Sequence, residues 1–447
     1  MLSAAQNELI TRCGPGTSMG DLIRRYWIPI GRSDELPEPD CPPVRVRVLN
    51  ENLIAFRTTS GKVGLIEDAC AHRGASLFFG RCEEEGIRCV YHGWKYDVTG
   101  QCVDMMNEPA ESTLKQSVKA VAYPTTERGG CIWAYLGPRK TPPALPEFEA
   151  NLALEGVSPV RLCLTDCNWL QAMENNLDTA HNAILHHGAI TTEAANDPNF
   201  PNPGMKYLVA SRAPVFDVRD ADFGVSSGAS RPAEAGSNYW RTTLWLWPFY
   251  TMSPTFQIGT RSEVVATVPV DDYHNMEVTF NRVLRRPSAD RRQFGGGSTL
   301  PNTTDWLGRF RSALEPATDF GVNRALQRSK PPDSTGWTGI PGGVPVQDEA
   351  MKWSQGRAGG NGVVDRSREH LGSTDAMIIR VRQKLIEAAR ALREEGIEPP
   401  CLDTPATYGQ RSGWTILPEG VDYWTGMREL REAFRDSVDP ASVSVLR

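Results

Sequence analysis

Two short segments, each carrying one cysteine and one histidine, place the strongest constraint on how this chain folds. The first segment is Cys70-Ala71-His72, and the second, after sixteen intervening residues, is Cys89-Val90-Tyr91-His92. A glycine follows closely after each of them, at Gly74 and Gly93. The pattern predicts two loops of one small domain, whose four donor side chains converge on a single metal centre.

Two thiolates and two imidazoles are the ligand set of a Rieske [2Fe-2S] cluster, with Cys70 and Cys89 on one iron and His72 and His92 on the other. Tetrahedral zinc accepts the same donors, but its usual spacing places both cysteines in one segment and both histidines in the other. Because each segment here mixes the two residue types, the pattern favours the iron–sulfur cluster over zinc. High-potential Rieske proteins of respiratory chains resemble this site but carry an extra cysteine pair, so its absence indicates the low-potential type.

Composition is that of an ordinary soluble globular protein, long enough at 447 residues for two domains or more. The net charge is −6 and no Lys/Arg-rich run occurs, which argues against nucleic acid or an anionic membrane as a partner. We find neither a signal-peptide pattern at the N-terminus nor an apolar stretch near the ~18 residues that span a bilayer. The sequence therefore predicts a cytoplasmic protein whose remaining cysteines are buried thiols.

Hydrophobic periodicity divides the chain into three parts. Residues 1–30 show a helical pattern and are expected to pack as a prefix on the domain that follows. Residues 31–140 contain short runs separated by turn residues, such as Val44–Val48 and Cys131–Tyr135, which predict a small antiparallel β domain. A proline-rich connector then marks the boundary to a second domain, residues 141–447.

A second group of candidate ligands lies in the segment from Asn168 to His187. Glu174, Asp178 and His181 are spaced to share one face of a helix, so Asp178 can accept a hydrogen bond from His181. His186 follows five residues later, about 140° further round an ideal helix. Both histidines can therefore face one metal only if the helix ends or bulges between them.

The two motifs together resemble the oxygenase component of Rieske non-haem iron aromatic-ring hydroxylating oxygenases. The sequence around the first motif, Gly74–Gly80 and Val90–Asp97, is similar to that of the phthalate dioxygenase subgroup. The resemblance implies a mononuclear Fe(II) held by His181, His186 and an aspartate, a facial triad with open positions for O₂. In the subgroup, the aspartate ligand stands in a Gln-Asp pair before the late helices. Gln347-Asp348 matches this pair, so the resemblance favours Asp348 as the third ligand. Its rivals are Asp333, Glu349, Asp365 and Asp375.

The resemblance also implies an α+β fold, with an N-terminal antiparallel β Rieske domain followed by a helix-grip catalytic domain. Four segments of the second domain are predicted strands: Tyr207–Ala210, Tyr239–Tyr250, Val264–Val270 and Met276–Phe280. Helical insertions are predicted near residues 286–330, around Trp306, Leu307, Phe310 and Leu314, and near residues 375–395. Gly356–Gly362 is interpreted as a flexible insertion.

The activity implied by the resemblance is cis-dihydroxylation of an aromatic carboxylate by O₂, the substrate being a phthalate, isophthalate or substituted benzoate. Electrons from NADH would arrive through a separate flavin and iron–sulfur reductase, because no G-x-G-x-x-G nucleotide motif is found. A monooxygenase or O-demethylase of an aryl ether or methoxybenzoate is the alternative enzyme. A Rieske electron carrier without catalytic iron is the alternative of another class.

Two further hypotheses concern single residues. A carboxylate that enters an apolar pocket needs a cation, so Arg241, Arg231 and Arg261 are candidate substrate anchors, with Arg241 preferred. Family members form homotrimers or stacked trimers (hexamers), in which electrons cross between adjacent subunits. Asp178 is the candidate bridge, with one oxygen on His181 and the other free for His72 or His92 of a neighbouring subunit.

Overall fold

The computed structural model describes residues 1–152, 160–186, 195–197, 203–283, 299–313, 316–331, 334, 336–341, 343–357 and 362–428. Parts of three predictions lie outside these residues. They are the rival ligand Asp333, the first part of the insertion predicted near 286–330 together with Leu314, and residues 358–361 of the glycine-containing stretch.

The N-terminal domain is an all-antiparallel β structure, as predicted. It contains one three-stranded sheet and two four-stranded sheets. In sheet order, the strands are Trp27–Arg32, Cys131–Tyr135 and Thr125–Arg128; Val44–Val48, Glu51–Arg57, Val63–Glu67 and Ala122–Tyr123; and Arg81–Glu83, Gly86–Arg88, Trp94–Asp97 and Cys102–Met105. In the strictly alternating strand, Val46 and Val48 are buried while Arg45 and Arg47 are only partly covered, which is the pleat expected of a half-buried strand.

The predicted helical prefix is correct in part. Helices span Ala4–Thr11 and Ser18–Ile23, but the strand Trp27–Arg32 begins before residue 30 and pairs with Cys131–Tyr135. These helices contact both halves of the chain: Asn7 Nδ2 donates to the Val364 carbonyl at 2.9 Å, and Arg24, at the C-terminal end of the second helix, pairs with Glu51 of the β domain. Helical periodicity identifies a buried face but not the partner that buries it.

The C-terminal domain is built on one eight-stranded antiparallel sheet. Its strands, in spatial order, are Arg161–Thr165, Asn275–Val283, Arg261–Pro269, Tyr250–Met252, Ser237–Leu246, Gly224–Pro232 and Val215–Ala221, with Gly413–Pro418 also pairing with Ser237–Leu246. Three of the four predicted strand segments therefore lie in the sheet. The fold is α+β, as predicted.

Helices cover this sheet. Among the described residues of this domain they include Trp169–Leu177, Met205–Ala210, Arg324–Ser329, Val344–Arg357 and Ala376–Glu395. The last of them buries Met377, Val381 and Leu385 at helical spacing and ends at Gly396, whose φ of 69° is the left-handed conformation that glycine adopts without cost. It confirms the helix predicted near 375–395. Among the described helices, we find no candidate for a membrane span.

Two secondary-structure predictions are wrong. Tyr207–Ala210 lies in the helix Met205–Ala210, which buries Tyr207 and Leu208 on the sheet surface instead of adding a strand. A short apolar run does not distinguish these two arrangements. The segment around Trp306 and Phe310 consists of turns and isolated bridges, and the positive φ of Phe310, 56°, is incompatible with a right-handed helix. The helix within the predicted insertion near 286–330 lies instead at Arg324–Ser329.

The two domains share one hydrophobic core. The Trp133 ring of the N-terminal domain stacks on the Phe280 ring of the large sheet, with centroids 5.2 Å apart and planes 11° apart. The Tyr250 hydroxyl donates to the Trp27 carbonyl at 3.2 Å across the same boundary. These contacts fix the β domain against the back of the sheet, so the two candidate sites belong to one rigid framework within a chain.

Glu174 does not share a face with the candidate ligands. Its carboxylate is buried between Arg366, at 2.8 Å, and Arg382, at 2.6 Å, and both arginines are almost fully covered. Burial raises the pKa of Glu174, but the two guanidinium groups outweigh it and hold the pKa below its usual value. The residue joins the helix Trp169–Leu177 to the C-terminal helix and its preceding loop.

We expect Glu174→Gln to destabilise the fold by about 3–5 kcal/mol, because it leaves buried guanidinium charge without its carboxylate. Glu387→Gln is the control: Glu387 is exposed and lies 3.9 Å from Arg380, so about 0–1 kcal/mol is expected. Denaturant unfolding at pH 7 measures both. Because the pKa of Glu174 is lowered in the folded state, its contribution to the free energy of unfolding is complete above the unfolded-state pKa of about 4.3. That contribution is lost as the pH falls from there through the folded-state pKa. Equal stability of the two variants at pH 7 would contradict the assignment.

Candidate functional site

The two cysteine–histidine segments form a pair of loops with the same backbone pattern. In the first loop, the Cys70 N–H donates to the Ala75 carbonyl and the Gly74 N–H donates to the Cys70 carbonyl, each at 2.8 Å. In the second, the Cys89 N–H donates to the Trp94 carbonyl at 2.8 Å, and the Gly93 N–H donates to the Cys89 carbonyl at 3.0 Å. Both glycines have positive φ, 74° and 77°, which explains why glycine stands in each loop.

The two cysteines lie together between these loops, and so do the two histidines. Cys70 and Cys89 are buried at the base, while the His72 and His92 rings lie nearer the surface with centroids 4.4 Å apart. The His72 ring also stacks on Trp94 at 4.3 Å, and its Nδ1 is buried without a hydrogen-bond partner among the described residues. Two inner sulfurs, two outer imidazoles and one unpartnered ring nitrogen fit the donor set of a [2Fe-2S] cluster.

A second group of donors forms where a helix of the C-terminal domain ends. The helix Trp169–Leu177 stops at Asp178, whose extended backbone breaks it, and His181 begins a short 3₁₀ turn. The break that the spacing of His181 and His186 required is present, but the helix ends before His181, so the predicted helical face shared by Glu174, Asp178 and His181 is wrong. His186 follows the turn and is almost fully buried.

His181, His186 and Asp348 come together at this point. The two Nε2 atoms are 3.1 Å apart, and Asp348 Oδ1 lies 3.3 Å from each of them. Three ligands on one face of an octahedron, with metal–ligand bonds of about 2.1 Å, would lie roughly 3 Å apart. The three side chains therefore fit a single metal ion. Among the described residues they form the one group of three such donors whose ligand atoms all lie within 4.8 Å of one another.

Asp348 lies within the helix Val344–Arg357, which precedes the long helix Ala376–Glu395. Burial raises its pKa, but His181 and His186 outweigh burial and lower it. For His181, burial lowers the pKa, and the carboxylates of Asp178 and Asp348 raise it to about 9. The protonation of each of the three side chains thus depends on the other two, as expected of side chains that bind one cation together.

The far nitrogen of each histidine faces a different partner. Asp178 Oδ2 lies 3.3 Å from His181 Nδ1, as an ionic contact without hydrogen-bond alignment. Gln347 Oε1 lies 3.1 Å from His186 Nδ1, and Gln347 is 1% exposed. Each partner can fix the ring so that Nε2 points to the shared centre. Sequence reasoning quoted Gln347 only as a family marker, because 161 positions separate it from His186.

The rival carboxylates among the described residues do not join the two histidines. Asp365 is exposed and accepts from the Ser367 hydroxyl at 2.6 Å. Asp375 accepts from the Gly372 N–H at 2.7 Å. Glu349 follows Asp348 on the helix, and burial raises its pKa to about 7, but its carboxylate is not part of the three-donor group.

Comparison with known proteins identifies both domains. Residues 26–120 match the Rieske [2Fe-2S] domain, and residues 134–407 match the family described as LigXa C-terminal domain like. The chain is 36% identical over 441 residues to the 3-chlorobenzoate-3,4-dioxygenase oxygenase subunit of Comamonas testosteroni, covering 96% of this chain and 98% of that protein. The chain belongs to the Rieske oxygenases, as an oxygenase subunit.

The oxygenase is also 33% identical over 407 residues to the phthalate 4,5-dioxygenase oxygenase subunit of Pseudomonas putida, covering 88% of this chain and 87% of that protein. Its fold matches the terminal oxygenase of carbazole 1,9a-dioxygenase from Novosphingobium sp. KA1, with a TM-score of 0.53 at 20% identity over 89% of this chain and 97% of that one. The predicted family and fold are therefore confirmed, and the oxygenase contains a Rieske [2Fe-2S] domain.

Two of the three candidate arginines of the oxygenase lie on one face of its large sheet. Arg231 pairs with Tyr239, and Arg241 stands two residues further along the neighbouring strand, so their side chains project on the same side. Both are buried, at 1% and 5% exposure. Arg261 is placed differently: its guanidinium carbon lies 4.3 Å from the centroid of the Phe256 ring.

Arg241 is connected to the three-donor group through a residue that sequence reasoning missed. Its Nη2 donates to Asn182 Oδ1 at 3.0 Å, and Asn182 Nδ2 lies 3.1 Å from His181 Nε2. Asn182 follows His181 directly in the sequence, but nothing in the spacing indicates that it contacts an arginine 59 positions away. Asn182 thus links Arg241 to His181 of the three-donor group.

We expect Gln347→Leu to weaken metal binding at the three-donor group by about 10–100-fold, because His186 loses the partner that fixes its ring. Gln171→Leu is the matched control, since Gln171 is also a buried glutamine but donates to the Lys352 carbonyl at 2.8 Å. Titration of the metal-stripped oxygenase with Co(II), followed by its visible absorption, measures both. Equal affinities in the two variants would show that Gln347 does not orient His186.

Proposed function

We propose that this oxygenase cis-dihydroxylates an aromatic carboxylate of the phthalate, isophthalate or substituted benzoate class. The cluster ligands in this proposal are Cys70, His72, Cys89 and His92, and the ligands of mononuclear Fe(II) are His181, His186 and Asp348. When bound, the cluster supplies single electrons and the Fe(II) supplies open positions for O₂. The protein's own contribution is to bind the acid, orient its ring and exclude water.

The buried arginine pair is the observation that carries the substrate class. Arg231 donates from Nε to the Ser211 carbonyl at 2.8 Å, but neither terminal nitrogen has a hydrogen-bond partner among the described residues. Burial and the nearby charge of Arg241 lower the pKa of Arg231 to about 10. Buried cationic groups without a counter-charge are costly, so a site built this way favours an anionic ligand. A planar guanidinium can grip both oxygens of a carboxylate.

The surroundings of the arginines suit an aromatic ring. Tyr239 is buried beside Arg241 on the same strand face, and Trp414, which pairs with Arg241 across the sheet, has its ring 5.7 Å from that of Tyr239. The Tyr239 hydroxyl and the Trp414 ring N–H are both without partners among the described residues. These groups supply an apolar wall with two polar tips.

In this proposal the oxygenase receives electrons from another protein and works as an assembly of several identical subunits. Electrons from NADH reach the oxygenase through a separate reductase that contains flavin and an iron–sulfur centre. The oxygenase functions as a homotrimer or as stacked trimers. The three-donor group distinguishes this enzyme from a Rieske electron carrier, which requires only the cluster. Iron analysis separates the two: about three irons per chain supports the enzyme, and about two supports the carrier.

The test is a substrate panel with a reductase, scored for O₂ consumed against product formed. Phthalate, isophthalate, 3-chlorobenzoate and 3-phenoxybenzoate are compared with their uncharged methyl esters and with 3-methoxybenzoate. We expect tightly coupled product formation from at least one acid and none from its ester. Equal turnover of ester and acid would overturn the carboxylate assignment, and demethylation of 3-methoxybenzoate as the main reaction would replace dihydroxylation with O-demethylation.

We expect Arg241→Ala to raise the KM for the preferred acid by about 10–100-fold, since hydrogen bonds to charged groups contribute about 1.5–3 kcal/mol. Arg261→Ala is the comparison, because the Arg261 guanidinium lies on the Phe256 ring, and its KM should match the wild type. Steady-state kinetics with the acid measures both. An unchanged KM in Arg241→Ala would place the anchor elsewhere, with Arg231→Ala as the next variant.

A further inference from the structure

The three donors of the candidate metal site come from two separate elements. His181 and His186 follow the end of the helix Trp169–Leu177, while Asp348 lies within the helix Val344–Arg357. A metal site requires its ligands to be held within about 0.5 Å of their working positions. Something must therefore fix the spacing of the two helices where the donors leave them.

One carboxylate of the large sheet contacts both helices. Glu277, in the strand Asn275–Val283, accepts from Lys352 Nζ at 3.0 Å through Oε2 and from Asn176 Nδ2 at 2.9 Å through Oε1. Lys352 follows Asp348 by one helical turn, on the same face of its helix. Asn176 lies in the last turn of the other helix. Among the described residues, Glu277 is the sheet side chain for which hydrogen bonds to both helices are found.

The two helices also meet next to this carboxylate. Asn175 Nδ2 lies 3.5 Å from Asp348 Oδ1, and Asn175 directly precedes the asparagine that Glu277 holds. The residues that Glu277 binds are thus one helical turn from the carboxylate donor on one side and one residue from its neighbour on the other. A shift of either helix against the sheet would change the distance between Asp348 and the two histidines.

The pair formed by Glu277 and Lys352 is a buried ion pair. Lys352 is 4% exposed, and burial lowers its pKa, but Glu277 outweighs burial and raises it, so the ammonium group stays charged. Replacing such a pair by apolar side chains of similar volume is often neutral or stabilising, so net stability does not explain why it is ionic. An ionic hydrogen bond does supply a defined distance and direction, which apolar packing does not.

We propose that Glu277 is a positioning residue for the mononuclear site, which sets the spacing of the two ligand-bearing helices through Lys352 and Asn176. It is not a member of the three-donor group and acts only through these two partners. The inference rests on the proposed function, because it takes His181, His186 and Asp348 as ligands of one metal.

The test is the Co(II) affinity of the metal-stripped oxygenase in the double variant Glu277→Leu with Lys352→Met, which removes both charges together. We expect the affinity to fall by about tenfold or more and the EPR spectrum of the bound Co(II) to change with the donor geometry. The midpoint of denaturant unfolding, measured without metal, should stay at or above the wild-type value.

Glu35→Leu with Arg309→Met is the matched control. This ion pair also joins separate segments, its side chains are 12% and 10% exposed, and it lies outside the three-donor group, so the Co(II) affinity should match the wild type. An unchanged affinity in the Glu277 and Lys352 double variant would overturn the inference. A midpoint that falls together with the affinity would also overturn it, because the pair would then only stabilise the fold.

Asn176→Ala keeps the inference testable if the double variant does not fold. It releases Glu277 from the helix Trp169–Leu177 and leaves the ion pair with Lys352 intact. The Co(II) affinity should again fall by about tenfold, and a wild-type affinity would overturn the inference. If the wild-type oxygenase itself bound no Co(II), the proposed function would fail instead, so the two failures are distinct.

Discussion

Asp348→Ala is expected to lose the mononuclear metal and to abolish product formation, while the visible spectrum of the cluster stays that of the wild type. Asp348 is the carboxylate that lies within 3.3 Å of both His181 Nε2 and His186 Nε2. Loss of a residue that only hydrogen-bonds to a metal ligand already costs about 10–100-fold in metal affinity. Removal of a direct ligand should therefore cost more than about 100-fold. Iron analysis and product assays measure the effect.

Asp365→Ala is the control for this variant, because Asp365 is an exposed carboxylate that binds Ser367. It should keep full iron content and full activity. If Asp348→Ala instead retained about one iron per chain beyond the cluster's two, another carboxylate would have to complete the site. Glu349, its neighbour on the helix, would then be the first residue to replace.

Asp178→Asn is expected to slow reoxidation of the reduced oxygenase by roughly two orders of magnitude or more, because a charged acceptor is lost beside His181. The Asp178 side chain is 27% exposed, so a neighbouring subunit can reach it. The prediction that its second oxygen is free needs correction: Oδ1 accepts from the Ala180 N–H at 2.6 Å. A carboxylate oxygen has a second lone pair, so this contact still permits a bridge.

Both metal centres and the oligomeric state should be preserved in Asp178→Asn, which separates this effect from metal loss. Single-turnover reoxidation of the reduced protein, with the acid and O₂ present, measures the rate. Asp365→Asn again provides the matched control with wild-type kinetics. A wild-type rate in Asp178→Asn would limit the residue to orienting His181.

Local patterns were sufficient to predict the two loops of the first candidate site. The cysteine–histidine segments are short, and the positive φ of Gly74 and Gly93 is a local requirement, so spacing alone predicted two loops. The placement of Asp348 depended on the family resemblance, since no periodicity links a residue to partners more than 160 positions earlier. For the same reason the roles of Gln347 and Asn182 were missed.

The errors share a physical origin in tertiary contacts. Glu174 has the helical spacing of a residue that faces His181, but the helix ends at Asp178, and two buried arginines from distant segments take its carboxylate. The two N-terminal helices pack against each other and against the long helix Ala376–Glu395, a partner that their own periodicity does not indicate. Amphipathic patterns state that a face is buried and leave its partner undetermined.

Isotopic analysis of the product tests the central claim most directly. The acid that gives the tightest coupling is turned over under ¹⁸O₂ with reductase and NADH, and the product is examined by mass spectrometry. The account predicts a cis-diol acid in which both new oxygen atoms carry the label. A product with a single labelled oxygen, or O₂ consumption without an oxygenated acid, would contradict it.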